Sequence, residues 1–159
     1  MAVTSDIVET WRHPRAVIRR MLDRGPDEGR GLAILMGACA LIFVAQAPRL
    51  AREAHLNPEI PLDARLGVTL FALIFMAPLL FYAIAGISHL AALFLRGTGT
   101  WFGARMALFW ALMVTTPATL LHGLVAGLLG PVGATTVLGV AVAVVFVTLW
   151  INMLIEAER

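Results

Sequence analysis

LGVTLFALIFMAPLLFYAIAGISHLAALFL, Leu66 to Leu95, runs for 30 residues without an Asp, Glu, Lys or Arg. About 18 consecutive apolar residues already mark a candidate membrane helix, since each helical residue advances about 1.5 Å across a hydrocarbon core about 30 Å thick. Three further uncharged runs accompany it: Gly31 to Pro48, Met106 to Leu129 and Val132 to Ile155. Four helices of a soluble bundle would show polar faces, and these runs show none. Only 14% of the 159 residues are charged, against roughly 25% in soluble domains. The composition therefore predicts an all-α polytopic membrane protein. Four transmembrane helices, near residues 31–48, 66–95, 106–129 and 132–155, lie in a domain spanning 27–159. A cytoplasmic amphipathic helix within residues 1–26 precedes them.

Four spans put both termini on one side. That side carries nine arginines: Arg12, Arg15, Arg19, Arg20, Arg24 and Arg30 before the first span, Arg96 and Arg105 in the second loop, and Arg159 at the end. The opposite side carries three, Arg49, Arg52 and Arg65. This imbalance predicts cytoplasmic termini. The first 30 residues are charged and hold no apolar signal-peptide segment, so retention of the N-terminus is expected. Cys39 is the single cysteine, which excludes an intrachain disulfide.

The segment TWRHPRAVIRRMLDRG, Thr10 to Gly25, concentrates five of those arginines. On a helical projection Ile7, Val8, Trp11, Ile18, Met21 and Leu22 form one stripe, with Arg12, Arg15, Arg19 and Arg20 on the flank and back. Pro14 either bends this helix or opens a second segment, and Gly25-Pro26 ends it. A basic amphipathic helix beside a span is the pattern of an interfacial helix. Trp11, Arg12, Arg15, Arg19 and Arg20 are thus expected at anionic lipid headgroups, where each arginine contributes about 1 kcal/mol. Five acidic residues among the first 30 dilute the positive field, and nucleic acid is not an expected partner.

Within the spans the ionisable candidates are His89 and His122. Counted from Arg96 and Arg105, they sit roughly 10 Å and 25 Å from the same end, an axial gap too long for two ligands of one metal. Each is expected to be a neutral hydrogen-bonding residue between helices, and no metal or other cofactor is expected. Paired carboxylates, an activated nucleophile and a phosphate loop are all missing from the pattern, so no catalytic residue is assigned. Pro78 and Pro117 fall near the middles of the second and third spans and are expected to kink them. Gly123 and Gly127, four apart within the third span, favour close helix packing, whereas Gly99 and Gly103 are expected in a turn.

The order of features resembles the Yip domain family in its bacterial form. HPRAVIRRML precedes a span ending in FVAQAPRLAR, and a long second span runs into LFLRGTGTWFGARMALFWALMVTTPATLLHGL. The matching positions are Pro14, Arg15, the loop Gly97-Gly99-Trp101-Gly103, and Pro117, within a likeness from about Trp11 to Asn152. Many members have five spans where this sequence offers four. The resemblance implies the fold of a small multi-span membrane protein; with no catalytic residues in view, the reading adopted is a bacterial inner-membrane protein organising membrane or partner proteins without catalysis. Its expected partners are lipids, another membrane protein or further copies of itself. Two other readings stand beside it: an accessory subunit or assembly factor of a larger membrane complex, and a small-solute transporter or channel with a polar midplane cavity near Thr115 and Thr116.

Overall fold

In the computed structural model, which describes residues 3–159, every regular element is helical. Two short helices, α1 (Val3–Thr10) and α2 (Pro14–Leu22), lead into α3 (Glu28–Leu56). The next span consists of α4 (Leu62–Phe71), a π-turn at Ala72–Met76 and α5 (Ala77–Phe94). Two long helices follow, α6 (Trp101–Leu129) and α7 (Gly133–Ala157). Four helical stretches, Glu28–Leu56, Leu62–Phe94, Trp101–Leu129 and Gly133–Ala157, are long and apolar enough to cross a membrane. The protein is a multi-pass, all-helical membrane protein.

The helix α6 is the axis of the bundle. From Phe102 to Thr116 every residue except Arg105 is buried, because α3, α5 and α7 pack around it and α1 and α2 close its first turns. An all-round apolar helix is stable only in such a central position or in lipid. Its close approach to α3 depends on two glycines. A Cβ at Gly123 would overlap the Ala45 carbonyl, and one at Gly127 would meet Pro48. The small-residue pair read from the sequence does bring two backbones together.

Helix ends depart from expectation where charged residues find partners. The first span continues eight residues past Pro48, because Arg49 pairs with Glu53 at 2.8 Å within the same helix. Arg65 of α4 reaches Glu53 at 3.4 Å. Arg52 donates to the Leu128 carbonyl at 3.2 Å, placing a cation at the negative end of α6. The third span starts earlier than Met106, since the Thr100 hydroxyl caps α6 by accepting from the Gly103 N–H at 3.0 Å.

The two prolines expected to kink their spans have different local surroundings. Proline at 78 has no N–H for the Ile74 carbonyl, and the π-turn at Ala72–Met76 precedes it. Pro117 frees the Met113 carbonyl, which accepts instead from the Thr116 hydroxyl at 2.7 Å. The side chain one residue earlier in the chain takes the place of the missing N–H, so α6 runs on as one helix.

Candidate functional site

The densest polar network lies at the end of the bundle that holds both termini. Of the two readings of Pro14, the structure has the second: two helices, broken between Thr10 and Pro14, with proline in the first turn of the second. Thr10 fixes the break. Its hydroxyl donates to the Asp6 carbonyl at 2.6 Å and accepts from the Trp110 indole N–H at 2.9 Å, anchoring α1 to α6. Buried Asp6 accepts from Arg20 of α2 at 3.0 Å, and Glu9 accepts from the same guanidinium at 2.8 and 3.2 Å. Hydrogen bonding from Arg20 holds the Glu9 carboxyl below its ordinary range, and Glu9 in turn raises Arg20.

The apolar stripe divides accordingly. Ile18 and Met21, with Val17, are buried in the protein core, and Ile7 and Leu22 pack against it. Val8 and Trp11 stay on the surface at 66% and 44% exposure. The apolar face of α2 is thus turned to protein, because the ends of α6 and α7 offer it an apolar seat.

Arginines tie the same helix to the last span. Arg15 donates to the Asn152 side chain at 3.2 Å, and Arg19 pairs with Glu156, which also meets Arg159 at 3.5 Å. Arg30 donates to the Met21 and Gly25 carbonyls at 3.2 and 2.9 Å, closing the end of α2. Arg15, Arg19, Arg20, Asp23 and Glu156 rim a cleft of about 360 Å³ on this face. Arg19 remains 64% exposed there despite its partner, and Arg12 is exposed outside the cleft.

Beside this cap, the glycine loop receives the end of α7. A Cβ at Gly99 would overlap the Ala157 carbonyl, and Gly103 and Gly97 also lie against Ala157 and Glu158. The Thr98 N–H donates to the Glu158 carbonyl at 2.8 Å, and the Thr98 hydroxyl to that of Arg159 at 2.7 Å. Gly99 is therefore a docking position more than a turn. Trp101 packs its ring 4.5 Å from that of His89, whose Nδ1 lies 2.7 Å from the Glu158 carboxylate. Both members of this pair are buried, at 3% and 6% side-chain exposure.

His122 occupies the other end. It lines a pocket of about 270 Å³ with Gln46, Arg49 and Thr119, and its Nε2 faces Gly139. The two histidines thus belong to separate environments, as their axial spacing required. Thr115 and Thr116, which the transporter reading places at a cavity, are buried and bond to carbonyls of their own helix.

Sequence reasoning did not single out Glu156, Glu158, Asp6, Thr10 or Trp110. The available signal was charge order: two carboxylates close the last apolar run on the side that carries six arginines before the first span. A buried carboxylate must be paired, and Glu156 finds Arg19 among those arginines while Glu158 finds His89.

The fold and this network define a four-span helical membrane protein whose N-terminal helices are docked onto the bundle. The family model described as the Yip1 domain matches residues 8–158, and the chain belongs to that family. No curated protein and no solved structure matches it.

Proposed function

We propose that this Yip1-domain protein is a non-catalytic organiser of a bacterial inner membrane, with both termini in the cytoplasm. Its docked N-terminal cap meets anionic headgroups, and its least enclosed span meets lipid or a partner helix. The observation that carries the reading is the cleft of about 360 Å³ rimmed by Arg15, Arg19 and Arg20 on the terminal face. Nine arginines on that side against three on the other support the orientation. His89 is satisfied by Glu158 and the threonines of α6 by backbone carbonyls, so these polar groups serve packing. The second span is only 6% buried over its most apolar window, leaving a long face for the bilayer or a neighbour.

Purification from native membranes in mild detergent, with mass spectrometry of proteins and lipids, tests this. The expected result is co-purification of anionic lipid and either further copies of the chain or substoichiometric membrane proteins. Recovery of one stoichiometric complex would replace the reading with that of an accessory subunit. Recovery with neither lipid nor protein would end it.

A transporter remains a second reading because two adjoining grooves, of about 270 and 410 Å³, share Arg49 and His122 at the far end of the bundle. Solute flux in proteoliposomes that is lost on His122→Ala would favour it.

A further inference from the structure

Between α5 and α7, at the terminal end, lies a groove of about 660 Å³, within the range of about 300–1,000 Å³ that holds small-molecule ligands. Its walls are mostly apolar, Leu95, Ile151, Leu154 and Ile155 with Ala91 and Ala92, and Ser88 and Glu158 add polar groups. Its depth from Ser88 to Arg96 is eight residues of helix, about 12 Å, the scale of an acyl chain entering from one leaflet. Arg96, Thr98 and Arg159 stand at its mouth.

Arg96 is unusual in two independent ways. Its backbone has φ +67°, the one left-handed non-glycine conformation among the described residues. This position ends α5, with the Gly97 N–H donating to the Ala92 carbonyl at 2.8 Å and the Arg96 N–H to the Leu93 carbonyl at 3.0 Å. Helices commonly end this way, but glycine is the residue that adopts the conformation without strain. Its guanidinium is exposed at the groove and has no hydrogen bond or ion pair among the described residues. The cap arginines from Arg15 to Arg30, apart from Arg24, each hold a protein acceptor, although Arg15 and Arg19 stay exposed beside theirs.

Two carboxylates stand nearby; Glu158 lines the groove itself and keeps its Oε2 buried without a hydrogen-bond partner among the described residues, and Glu156 lies outside it. Glu158 faces His89, and Glu156 faces Arg19 and Arg159. Among the described residues, the mouth therefore keeps one free cation, Arg96, above a mostly apolar slot.

We infer that this groove holds one glycerophospholipid, its phosphodiester at the Arg96 guanidinium and one acyl chain along Leu95, Ile151 and Ile155. The inference deepens the lipid-organising reading, on which it rests, by placing a specific lipid outside the N-terminal cap. A charge-assisted bond to phosphate in this setting contributes enough to change retention roughly tenfold, equivalent to about 1.4 kcal/mol.

The full chain in nanodiscs containing equal phosphatidylglycerol and phosphatidylcholine, released for native mass spectrometry, supplies the test. One phospholipid per chain should survive release. Arg96→Gly should reduce that occupancy roughly tenfold. The variant should fold at least as well, since glycine suits φ +67°. Arg96→Lys, which keeps the charge, should retain most of the lipid. Ala92→Trp should expel it by filling the slot. Arg12→Gln with Arg24→Gln, changes at exposed cap arginines outside the groove, should leave it in place. Wild-type occupancy in Arg96→Gly would overturn the inference. Loss of the lipid only in the cap variant would also overturn it, while leaving the organiser reading intact.

Discussion

At the residue scale, the most informative contact is the Thr116 hydroxyl on the Met113 carbonyl at 2.7 Å. It explains why a proline sits in the most enclosed helix without breaking it. Thr116→Val should lower stability in detergent by about 1 kcal/mol, because the carbonyl loses its donor in an apolar setting. The same change made together with Pro117→Ala should cost almost nothing beyond Pro117→Ala alone, since alanine restores the N–H. Thermal unfolding of the four proteins in one detergent closes this cycle, and equal costs in both backgrounds would show that the hydroxyl is not the substitute. Gly123 makes a second case. A side chain there would collide with the Ala45 carbonyl, which is backbone and cannot swing away. Gly123→Leu should therefore separate α6 from α3 and destabilise by about 1–3 kcal/mol or more, as overpacking does. A melting temperature equal to that of the parent would refute the close approach.

Among the elements, α1 and α2 carry the account. Their joint is held by Arg20 between Asp6 and Glu9. The pair depresses the Glu9 carboxyl, so its contribution is complete above the ordinary carboxylate value of 4.5 and is lost as pH falls through the lower folded value. Hydrogen exchange of α1 amides, corrected for the intrinsic effect of pH, should show protection constant above pH 4.5 and falling below it. Glu9→Gln should flatten that profile, and an unchanged acid limb would assign it to other groups. This element also marks the limit of what the sequence reveals. Ile18 and Met21 define an apolar stripe by spacing alone, and such a stripe fits a lipid interface or a protein groove equally well. The choice depends on whether partners wait at the ends of α6 and α7, which lie about 80 or more residues away along the chain. The four spans were legible because loss of charge over 18 or more residues is a local property. Their ends were not, since Pro48 reads as a stop unless the Arg49–Glu53 pair beyond it is known. The glycine loop was found by resemblance, but its reason, the approach of Ala157 to Gly99, is tertiary.

For the whole molecule, α6 is the central axis, α3 and α7 flank it, and the second span forms the open side. The two termini meet: α2 lies on α7, and Thr98 binds the last residues of the chain. This end of the bundle is thereby one assembled surface, where Arg15 and Arg19 belong to both cap and bundle. Arg19→Glu should place two carboxylates against each other at Glu156 and release α2, seen as faster proteolysis within residues 1–26 of the protein in a bilayer. Arg19→Glu combined with Glu156→Arg should restore resistance. The central claim is the docking itself, and intramolecular cross-linking in native membranes tests it most directly. With Cys39→Ser as background, Arg15→Cys and Asn152→Cys should be joined by a short bifunctional reagent within one chain, because their side chains meet at 3.2 Å in the native protein. Failure to form that link, with Ile18→Cys in the same background readily labelled by a lipid-soluble thiol reagent, would show that the helix lies free on the membrane and contradict the account.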